Sequence, residues 1–494
     1  MILHAQTASA SMKLVVIGFA CIISSGVLAR DADSGNHLSM VSDSTASARE
    51  VSRAERLPFN PTPPRYLEDY EYLEDEALRT DLFDPIRYIA IGKSSYLSLG
   101  GSLRYSYDYF DQPNFGLNGV GNDHYWQSRA QVHADLHLFD DAVRAFVQFT
   151  NTGSQNKEIY SPYDRSDTEI QQAFVDFRLP QREGDRFYSR LGRQEMGLGD
   201  LALVDIRAMP NVRLSFDGAR FSYRSREGYK LDAFAVRPVG NVRRGSFNDS
   251  SKDSGDYYGL YGTLPLNEGL NQDIYALSYQ RDERTLNGIS GEEDRHTAGT
   301  RLFGEQQGFD YSLNLMYQFG KFDNQDIRAW GVLGGAGYTF TDVAANPRLG
   351  LSLMAASGDD DRHDGRSNTF DPMFSANGLY FGNAGVTTLS NLVAVGPRLT
   401  LTPGSSLKLS PSVLTMWRES QDDAAYMPGM NAIPGTADVS GKRLGTSYNM
   451  RATWSATNNL IFDIEYQYYD VSDVIRHAGG EDMQMVALRS YFIF

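Results

Sequence analysis

Residues 97–110, LSLGGSLRYSYDYF, decide the fold, because apolar and polar residues alternate along them. The apolar set is Leu97, Leu99, Leu103, Tyr105, Tyr107 and Tyr109, and the polar set is Ser98, Ser102, Arg104, Ser106 and Asp108. An extended chain points successive side chains to opposite faces, so a period of two residues is typical of a β-strand. The stretch therefore predicts a strand with one apolar and one polar face.

The same alternation returns along most of the chain. It is clear in residues 129–138, 143–149, 173–179, 311–319, 349–355, 407–417 and 460–468. At about 23 residues for each strand and its connection, residues 86–494 predict roughly 16–18 antiparallel strands, enough to close a barrel around a channel. Soluble β-sandwiches also alternate, so the period alone does not place the strands in a membrane.

Three further features favour a transmembrane β-barrel of the outer membrane. The chain ends on Phe494, with Phe492, Leu488 and Val486 at even steps before it, which resembles the terminal signal of such barrels. Apolar runs end in aromatic residues, as membrane girdles require. Connections alternate between short and long, and the long ones cover residues 150–167, 241–256, 358–377 and 419–442. We therefore predict an all-β protein located in the outer membrane.

The N-terminal region predicts export. Residues 14–28 form a short apolar run behind Lys13 and end near Ala29, which predicts a cleaved signal peptide over residues 1–29. The run is too short to span a membrane comfortably. Cys21 lies in this run, so a lipoprotein remains an alternative to a protein with a cleaved signal peptide. Met12 is an alternative start of translation. Residues 30–85, rich in proline and carboxylates, predict a partly disordered periplasmic leader with one short helix, and residues 86–494 the barrel.

The rest of the sequence argues against several other classes of protein. No segment has 18 consecutive apolar residues, which argues against a helical membrane protein. No phosphate-cradling loop, no nucleophile motif and no metal-ligand spacing stand out, so we expect no cofactor, no nucleic-acid partner and no enzyme activity. Residues 359–364 contain clustered carboxylates, which are the ligands that calcium prefers, but their spacing is not that of an EF-hand. A calcium site there is therefore not the favoured interpretation. A barrel enzyme is the least favoured alternative.

Several clusters of residues resemble one known family. They include LGRQE at 191–195, FDG at 216–218, YQFG at 317–320, TFDPMF at 369–374, YFG at 380–382 and WRES at 417–420. Together they resemble the alginate export family of outer-membrane proteins over residues 81–494. The resemblance implies a monomeric barrel of about 18 strands that conducts an acidic polysaccharide, or in some relatives another solute, across the outer membrane.

The alternation also predicts which charges face the lumen. The inward cations are Arg104, Arg129, Arg144, Arg178, Arg301, Arg348, Arg398, Lys408, Arg418, Arg451 and Arg489. The inward acids are fewer: Asp108, Asp135, Asp176, Asp463 and Glu465. The lumen would be positive although the chain carries a formal charge of −16. A positive lumen attracts anions, and the planar guanidinium pairs well with carboxylates.

We therefore expect all of these cations except Arg178 to bind solute. The predicted function is export of an anionic polysaccharide such as alginate, and the alternative is a porin for small organic solutes. Outer-membrane lipid and periplasmic export proteins are the other expected partners. A structural alternative stays open, because wide barrels pair inward arginines with acids to stiffen the wall. Two further pairs lie within the family clusters, at strand ends or turns: Arg193 with Glu195, and Arg213 with Asp217. We expect them to be structural ion pairs of that kind.

Overall fold

The computed structural model describes residues 63–179, 184–253, 255–361 and 363–494. The predicted signal peptide and most of the leader lie outside these residues. Among the described residues, no helix has the length and apolarity needed to cross a membrane.

Eighteen strands of the described chain form a closed antiparallel barrel. They are β1 (Tyr96–Asp111), β2 (Asn122–Leu138), β3 (Val143–Gln155), β4 (Ser166–Leu179), β5 (Arg186–Gln194), β6 (Phe216–Arg224), β7 (Lys230–Pro238), β8 (Asp256–Asn267), β9 (Leu270–Leu286), β10 (Ile289–Gln306), β11 (Phe309–Phe322), β12 (Gln325–Thr339), β13 (Arg348–Ala356), β14 (Leu392–Thr400), β15 (Leu407–Trp417), β16 (Arg443–Ser455), β17 (Leu460–Val471) and β18 (Met483–Ile493).

Each strand pairs with its neighbours in sequence, and the register of β1 with β18 closes the ring from Ser102 opposite Ile493 to Asp111 opposite Gln484. Short strands at Ile89–Ala90, Arg366–Ser367, Tyr426–Met427 and Asn431–Ala432 lie outside this count. The prediction of 16–18 strands is confirmed at its upper end. Closure leaves no free sheet edge, which a barrel in a membrane requires.

The two faces of the wall have the polarity that the alternation predicted. In β1, Leu103 and Tyr105 are about half exposed, whereas Arg104, Ser106 and Asp108 are buried. Outward apolar residues face lipid and inward polar residues face the lumen, the reverse of a soluble protein. Aromatic pairs such as Tyr105 with Trp126 stack on the outer surface.

The two ends of the barrel differ in their connections. Residues 268–269 and 307–308 join strands at the same end as Phe494, whereas connections of more than twenty residues lie at the opposite end. Short turns belong to the periplasmic end of outer-membrane barrels and long loops to the outer end. The chain therefore enters and leaves the barrel on the periplasmic side.

Two of the long connections fold into the lumen. The first inner loop, residues 195–215, joins β5 to β6, and the second inner loop, residues 357–391, joins β13 to β14. Phe374 of the second contacts Phe216, Tyr257 and Tyr279 of the wall. Residues 358–377 were expected to form a solvated outer loop. The structure differs because the apolar residues after position 369 pack together inside the barrel.

The part of the leader that the structure describes consists mainly of short helical turns. Residues 63–78 form three short 3-10 turns, and helix α1 (Asp84–Arg87) follows. The short strand Ile89–Ala90 pairs with Leu97 and Tyr96, so the barrel proper begins at Tyr96 rather than at residue 86. Two further short helices, α2 (Asn377–Phe381) and α3 (Asp473–His477), lie in outer-end connections.

Candidate functional site

Two of the predicted site residues bind the first inner loop. Arg104 Nη1 donates to the carbonyl of Met209 at 2.7 Å. Arg129 Nη1 donates to the carbonyls of Ala208 and Pro210 at 3.2 and 3.1 Å. Both arginines face the lumen as predicted and are buried. In this structure their guanidinium groups hold the loop against β1 and β2.

Arg144 holds the leader. Its Nε and Nη2 atoms pair with both carboxylate oxygens of Asp135 at 2.8 and 2.6 Å. Nη2 also donates to the carbonyl of Tyr66 at 2.6 Å. The planar fork is thus shared between a wall carboxylate and the main chain of the leader.

Tyr66 lies inside the lumen beside β3, β4 and β5. Its ring makes edge contacts with Phe146 and Phe174 at centroid distances of 6.3 and 5.6 Å. The guanidinium of Arg190 lies 4.1 Å from the Tyr66 ring centroid. The Tyr66 hydroxyl donates to the carbonyl of Glu195, where the first inner loop begins. The leader therefore enters the periplasmic mouth and touches the inner loop.

A group of ion pairs joins β1, β16, β17 and β18. Arg489 Nη1 lies 3.1 Å from Asp463 and 3.2 Å from Glu465. Its Nη2 lies 3.4 Å from Asp108. Arg451 Nε lies 2.6 Å from Asp463. Buried acids and cations of this kind satisfy each other and stiffen the wall.

Arg301 and Arg418 also have close partners. Arg301 Nη1 lies 3.2 Å from Asp273 on the neighbouring strand. Arg418 directly follows β15, is 1% exposed, and donates to the carbonyls of Asp423, Thr436 and Val439. It lies inside the loop of residues 418–442, where its donors are occupied by main-chain oxygens.

Four predicted cations share one sector of the lumen. Arg348, Arg398, Lys408 and Arg451 lie on the four consecutive strands β13 to β16, near the periplasmic ends of those strands. We call them the cationic stripe. The charges of the three arginines act on the Lys408 ammonium, so the four groups are neighbours. No inward position of the described strands β12 to β16 carries a carboxylate.

Within the stripe, Arg348 and Arg398 differ in their partners. Arg348 reaches across β12 and pairs with both oxygens of Asp310 at 2.6 Å. Gly337 allows this, because a Cβ there would lie 2.3 Å from the Arg348 guanidinium. Arg398 makes no hydrogen bond or ion pair with any described residue, and its side chain is half-buried. Its guanidinium is therefore available to a solute.

The lumen beside the stripe is open to solvent. The inward residues Lys408, Ser410 and Ser412 of β15 are half-buried, whereas Leu414 and Met416, nearer the outer end, are buried. We call the space before Lys408, Ser410 and Ser412 the vestibule. Towards the outside, the second inner loop packs against β15, and Thr387, Met416 and neighbouring side chains line a cavity of about 20 Å³.

Charged groups anchor the second inner loop to strand β9 of the wall. Asp371 lies 3.0 Å from Arg281 and 3.5 Å from Arg284. Burial alone would raise the pKa of Asp371, but Arg284, Arg281 and Arg295 hold it well below its usual range. In the first inner loop, burial raises the pKa of Asp205 to about 6. In the second inner loop, burial likewise raises the pKa of Asp359 to about 6, so each inner loop holds a carboxylate whose pKa is well above its usual range.

The sequence prediction missed many lumen charges. Cations absent from it are Arg190, Arg220, Arg224, Arg281 and Arg295, and the acids are Glu169, Asp232, Asp273, Glu293 and Asp310. Most of them form pairs, such as Arg190 with Asp176 at 2.8 Å. The predicted surplus of inward cations therefore does not extend around the whole lumen. Extending the alternation through β5–β11 would have found these residues except Glu169, which lies in β4 beyond a bulge that reverses the parity.

Two predicted ion pairs have exchanged partners. Arg213 pairs with Glu195 at 2.6 Å inside the lumen. Arg193 pairs with Asp217 at 2.7 Å on the outward side of β5 and β6. The parity of the strands explains the exchange, because odd positions of both strands point outward and bring Arg193 opposite Asp217. The interpretation as structural pairs holds for both arginines, with different acids.

The described residues contain no group of three or more His, Cys, Asp or Glu side chains placed to hold a metal ion. The Asp359 carboxylate lies beside Asp423, whose side chain accepts a hydrogen bond from the Asp359 main-chain amide at 3.1 Å.

Comparison with known proteins shows which of them share this architecture. A search of curated proteins found no match. Among solved structures, OccK11 (OpdR) of Pseudomonas aeruginosa is similar, with 12% identity, a TM-score of 0.53 and coverage of 81% of this chain and 96% of that chain. OccAB1 of Acinetobacter baumannii has 11% identity, a TM-score of 0.54 and coverage of 80% and 96%. At this identity the likeness concerns the fold.

The sequence itself matches a family description, "Alginate export", over residues 95–488, which is nearly the whole barrel. This match and the porin-like fold point to transport rather than catalysis. The protein is thus an outer-membrane β-barrel channel, and its chain belongs to the alginate export family.

Proposed function

We propose that this channel conducts an anionic, carboxylate-bearing polysaccharide, and that the cationic stripe is the surface along which the polymer moves. The observation that carries the proposal is the sector β12–β16, where Arg348, Arg398, Lys408 and Arg451 face the lumen without an inward carboxylate on those strands. A low-dielectric wall around an open vestibule strengthens their attraction for anions.

The spacing of the stripe suits a polymer better than a single tight site would. The four cations lie on four successive strands, which are about 5 Å apart, and at different heights along them, so the positive charge is spread over the wall and several carboxylates of one chain can be attracted at once. Each contact in water is weak enough to break, and conduction requires that binding allow both entry and exit. Ser410 and Ser412 beside Lys408 offer hydroxyl groups to sugar hydroxyls.

Of the ten predicted binding residues, we assign the solute role chiefly to Arg398 and Lys408. Arg348 and Arg451 flank them and add positive charge, although each is paired with an acid of a strand beyond β12–β16. Arg104, Arg129 and Arg144 support the inner loop and the leader, and Arg301, Arg418 and Arg489 have close structural partners. Their direct contact with solute stays a prediction. The signal peptide over residues 1–29 also stays a prediction.

A second candidate is a channel for small organic anions. The observation that favours it is the second inner loop, which closes the outer end of the vestibule tightly around Leu414 and Met416. A small solute needs a smaller movement of this loop than a polymer does. The cationic stripe would select anions in either case, so selectivity alone does not separate the two candidates.

Channel block in planar bilayers separates them. We expect oligomers of mannuronate or guluronate, added at the periplasmic side, to block the current at lower concentration as their length increases, because longer oligomers engage more cations. Neutral oligosaccharides of equal length are the control and should block weakly. Equal block by monomeric uronate and by oligomers would support the small-solute channel and contradict the polymer proposal.

A further inference from the structure

The loop that joins β7 to β8 has a basic and apolar surface that the transport pathway does not use. It covers residues 239–255, of which residue 254 is not described. Arg243 and Arg244 are exposed, and Val242 and Phe247 are 44% and 62% exposed. Together with Tyr160, 42% exposed in a neighbouring loop, they form what we call the outer-rim patch.

The patch lies on the lipid side of the barrel. Phe247 makes an edge contact with Phe149 at a centroid distance of 6.4 Å, and Phe149 occupies an outward position of β3. The Phe247 amide donates to the carbonyl of Thr168, near the outer end of β4, at 3.0 Å. The loop therefore packs on the outer ends of β3 and β4 and places Phe247 on the outward face, where outward side chains meet the outer leaflet.

Acids of β4 and one acid of the loop itself accept hydrogen bonds from the loop backbone. Asp167 accepts a hydrogen bond from the amide of Gly245 at 2.9 Å, and Asp249 accepts one from Val242 at 2.5 Å. Glu169 accepts one from the amide of Asn248 at 2.9 Å. Arg165, outside the patch, pairs with Asp167 at 2.9 Å. The nearby carboxylates are thus engaged by peptide groups and by another arginine.

The arginines of the patch are placed differently. Arg243 lies over the ring of Tyr160, with 3.9 Å between the guanidinium carbon and the ring centroid. Neither Arg243 nor Arg244 forms an ion pair with a described residue, although the charge of Arg244 acts on Asp167. Stacking on an aromatic ring fixes a guanidinium in orientation and leaves its edge free to donate.

We propose that the outer-rim patch binds a phosphate-bearing lipid headgroup of the outer leaflet. Arg243 and Arg244 would pair with phosphate oxygens, which the planar guanidinium does in two directions at once. Val242 and Phe247 would lie among the acyl chains beside Phe149. Basic residues next to exposed apolar ones at a membrane surface are the combination that anionic lipids attract. This site is separate from the lumen and does not depend on the proposed substrate.

Lipid binding can be measured on the full chain by native mass spectrometry after mixing with lipid A, a glycolipid that carries two phosphates. We expect the wild type to retain lipid A. The double variant R243E/R244E should bind it at least about tenfold more weakly, because two attractive charges become repulsive. R226E changes an exposed arginine of the turn between β6 and β7, at the periplasmic end, and should bind as the wild type does.

Further variants and ligands make the test decisive. F247S should weaken binding without abolishing it, and the conservative R243K/R244K should retain most of it. A heat-dependent shift in gel mobility verifies that each barrel is folded; should R243E/R244E fail this criterion, the comparison is made with R243Q. Unchanged lipid A binding by the charge variant would overturn the proposal. Equal competition by inorganic phosphate, or preferential binding of uronate oligomers at the patch, would overturn it as well.

Discussion

The two halves of the lumen differ in how they use their positive charges. In the half formed by β1–β5, the inward side chains of β2 are nearly all buried beneath the leader and the first inner loop. In the half formed by β13–β16, Lys408, Ser410 and Ser412 are accessible and no strand of β12–β16 brings an inward acid. We call these two sectors, of five and four strands, the filled half and the open half.

The difference shows what an inward arginine does in a wide barrel. In the filled half, Arg129 and Arg144 donate to loop and leader carbonyls or to acids, so their charge is balanced and their position fixed. In the open half, Arg398 has no such partner among the described residues. The number of inward cations is therefore a poor guide to a transport surface. The absence of nearby acids is a better one.

The largest effect is expected when the charges of Arg398 and Lys408 in the open half are removed. The double variant R398Q/K408Q should weaken block by uronate oligomers by roughly 100-fold, because two charge-assisted contacts of about 1.5 kcal/mol each are lost. R220Q, whose partner Asp232 keeps a second cation in Arg224, should leave the block constant within about threefold. Both are measured by titrating oligomers against single-channel current. Arg220 lies on β6, outside both halves, so an effect of R220Q as large as that of R398Q/K408Q would show that paired cations elsewhere in the lumen also bind the polymer, and would contradict the special role of the open half.

Substitutions in the filled half should instead lower the free energy of unfolding of the barrel. Glu195→Gln breaks a pair whose side chains are about 1% and 3% exposed, so the free energy of unfolding should fall by about 3 kcal/mol. The double variant E195L/R213M replaces the pair with apolar groups and should recover much of that loss. Thermal unfolding in detergent measures both. A single variant as stable as the wild type would show that the pair does not hold the loop.

Removing the leader contact should raise the current. Tyr66→Ala deletes the ring that packs on Phe146 and Phe174, at a local cost of about 2–3 kcal/mol, and leaves a gap in the periplasmic mouth. We expect a larger single-channel conductance with unchanged anion preference, because the open half is untouched. Tyr66→Phe keeps the ring and should conduct as the wild type does. An unchanged current in the alanine variant would show that the leader does not narrow the pathway.

A small pH effect should come from Asp205 of the first inner loop. Its folded-state pKa, raised by burial to about 6, lies above the ordinary value near 4. The protonated form therefore favours the packed loop, and this contribution is complete below pH 4 and is lost as pH rises through about 6. Current fluctuations should be more frequent at pH 7.5 than at pH 4.5, and D205N should reduce the difference, while the part that remains comes from Asp359, whose pKa burial also raises to about 6. Equal fluctuations in the wild type at both values would refute it.

The sequence predicted the wall well and the lumen contents poorly. Alternation needs only neighbouring positions, so it placed Arg104, Arg348 and Arg398 on the inward face correctly. It does not report partners from distant strands: Arg348 meets Asp310, 38 residues away, across a strand where Gly337 makes room. Contacts of this kind between strands decide which cations are paired with an acid.

The inner loops and the leader show a second limit. The acidic run at residues 359–364 indicated a solvated loop, yet Phe370 and Phe374 a few residues later pack inside the barrel. Tyr66 stands in a polar segment without periodicity, so nothing marked it as a residue of the lumen. Irregular segments bury single side chains at points set by the surrounding wall. Their local sequence therefore carries little information about where they lie.

The reversal potential across a salt gradient tests the central claim most directly. Although the chain has a formal charge of −16, we predict that the wild-type channel prefers chloride to potassium and that R398Q/K408Q loses most of this preference. Cation preference in the wild type, or an anion preference that survives in R398Q/K408Q, would contradict the assignment of the open half as the transport surface.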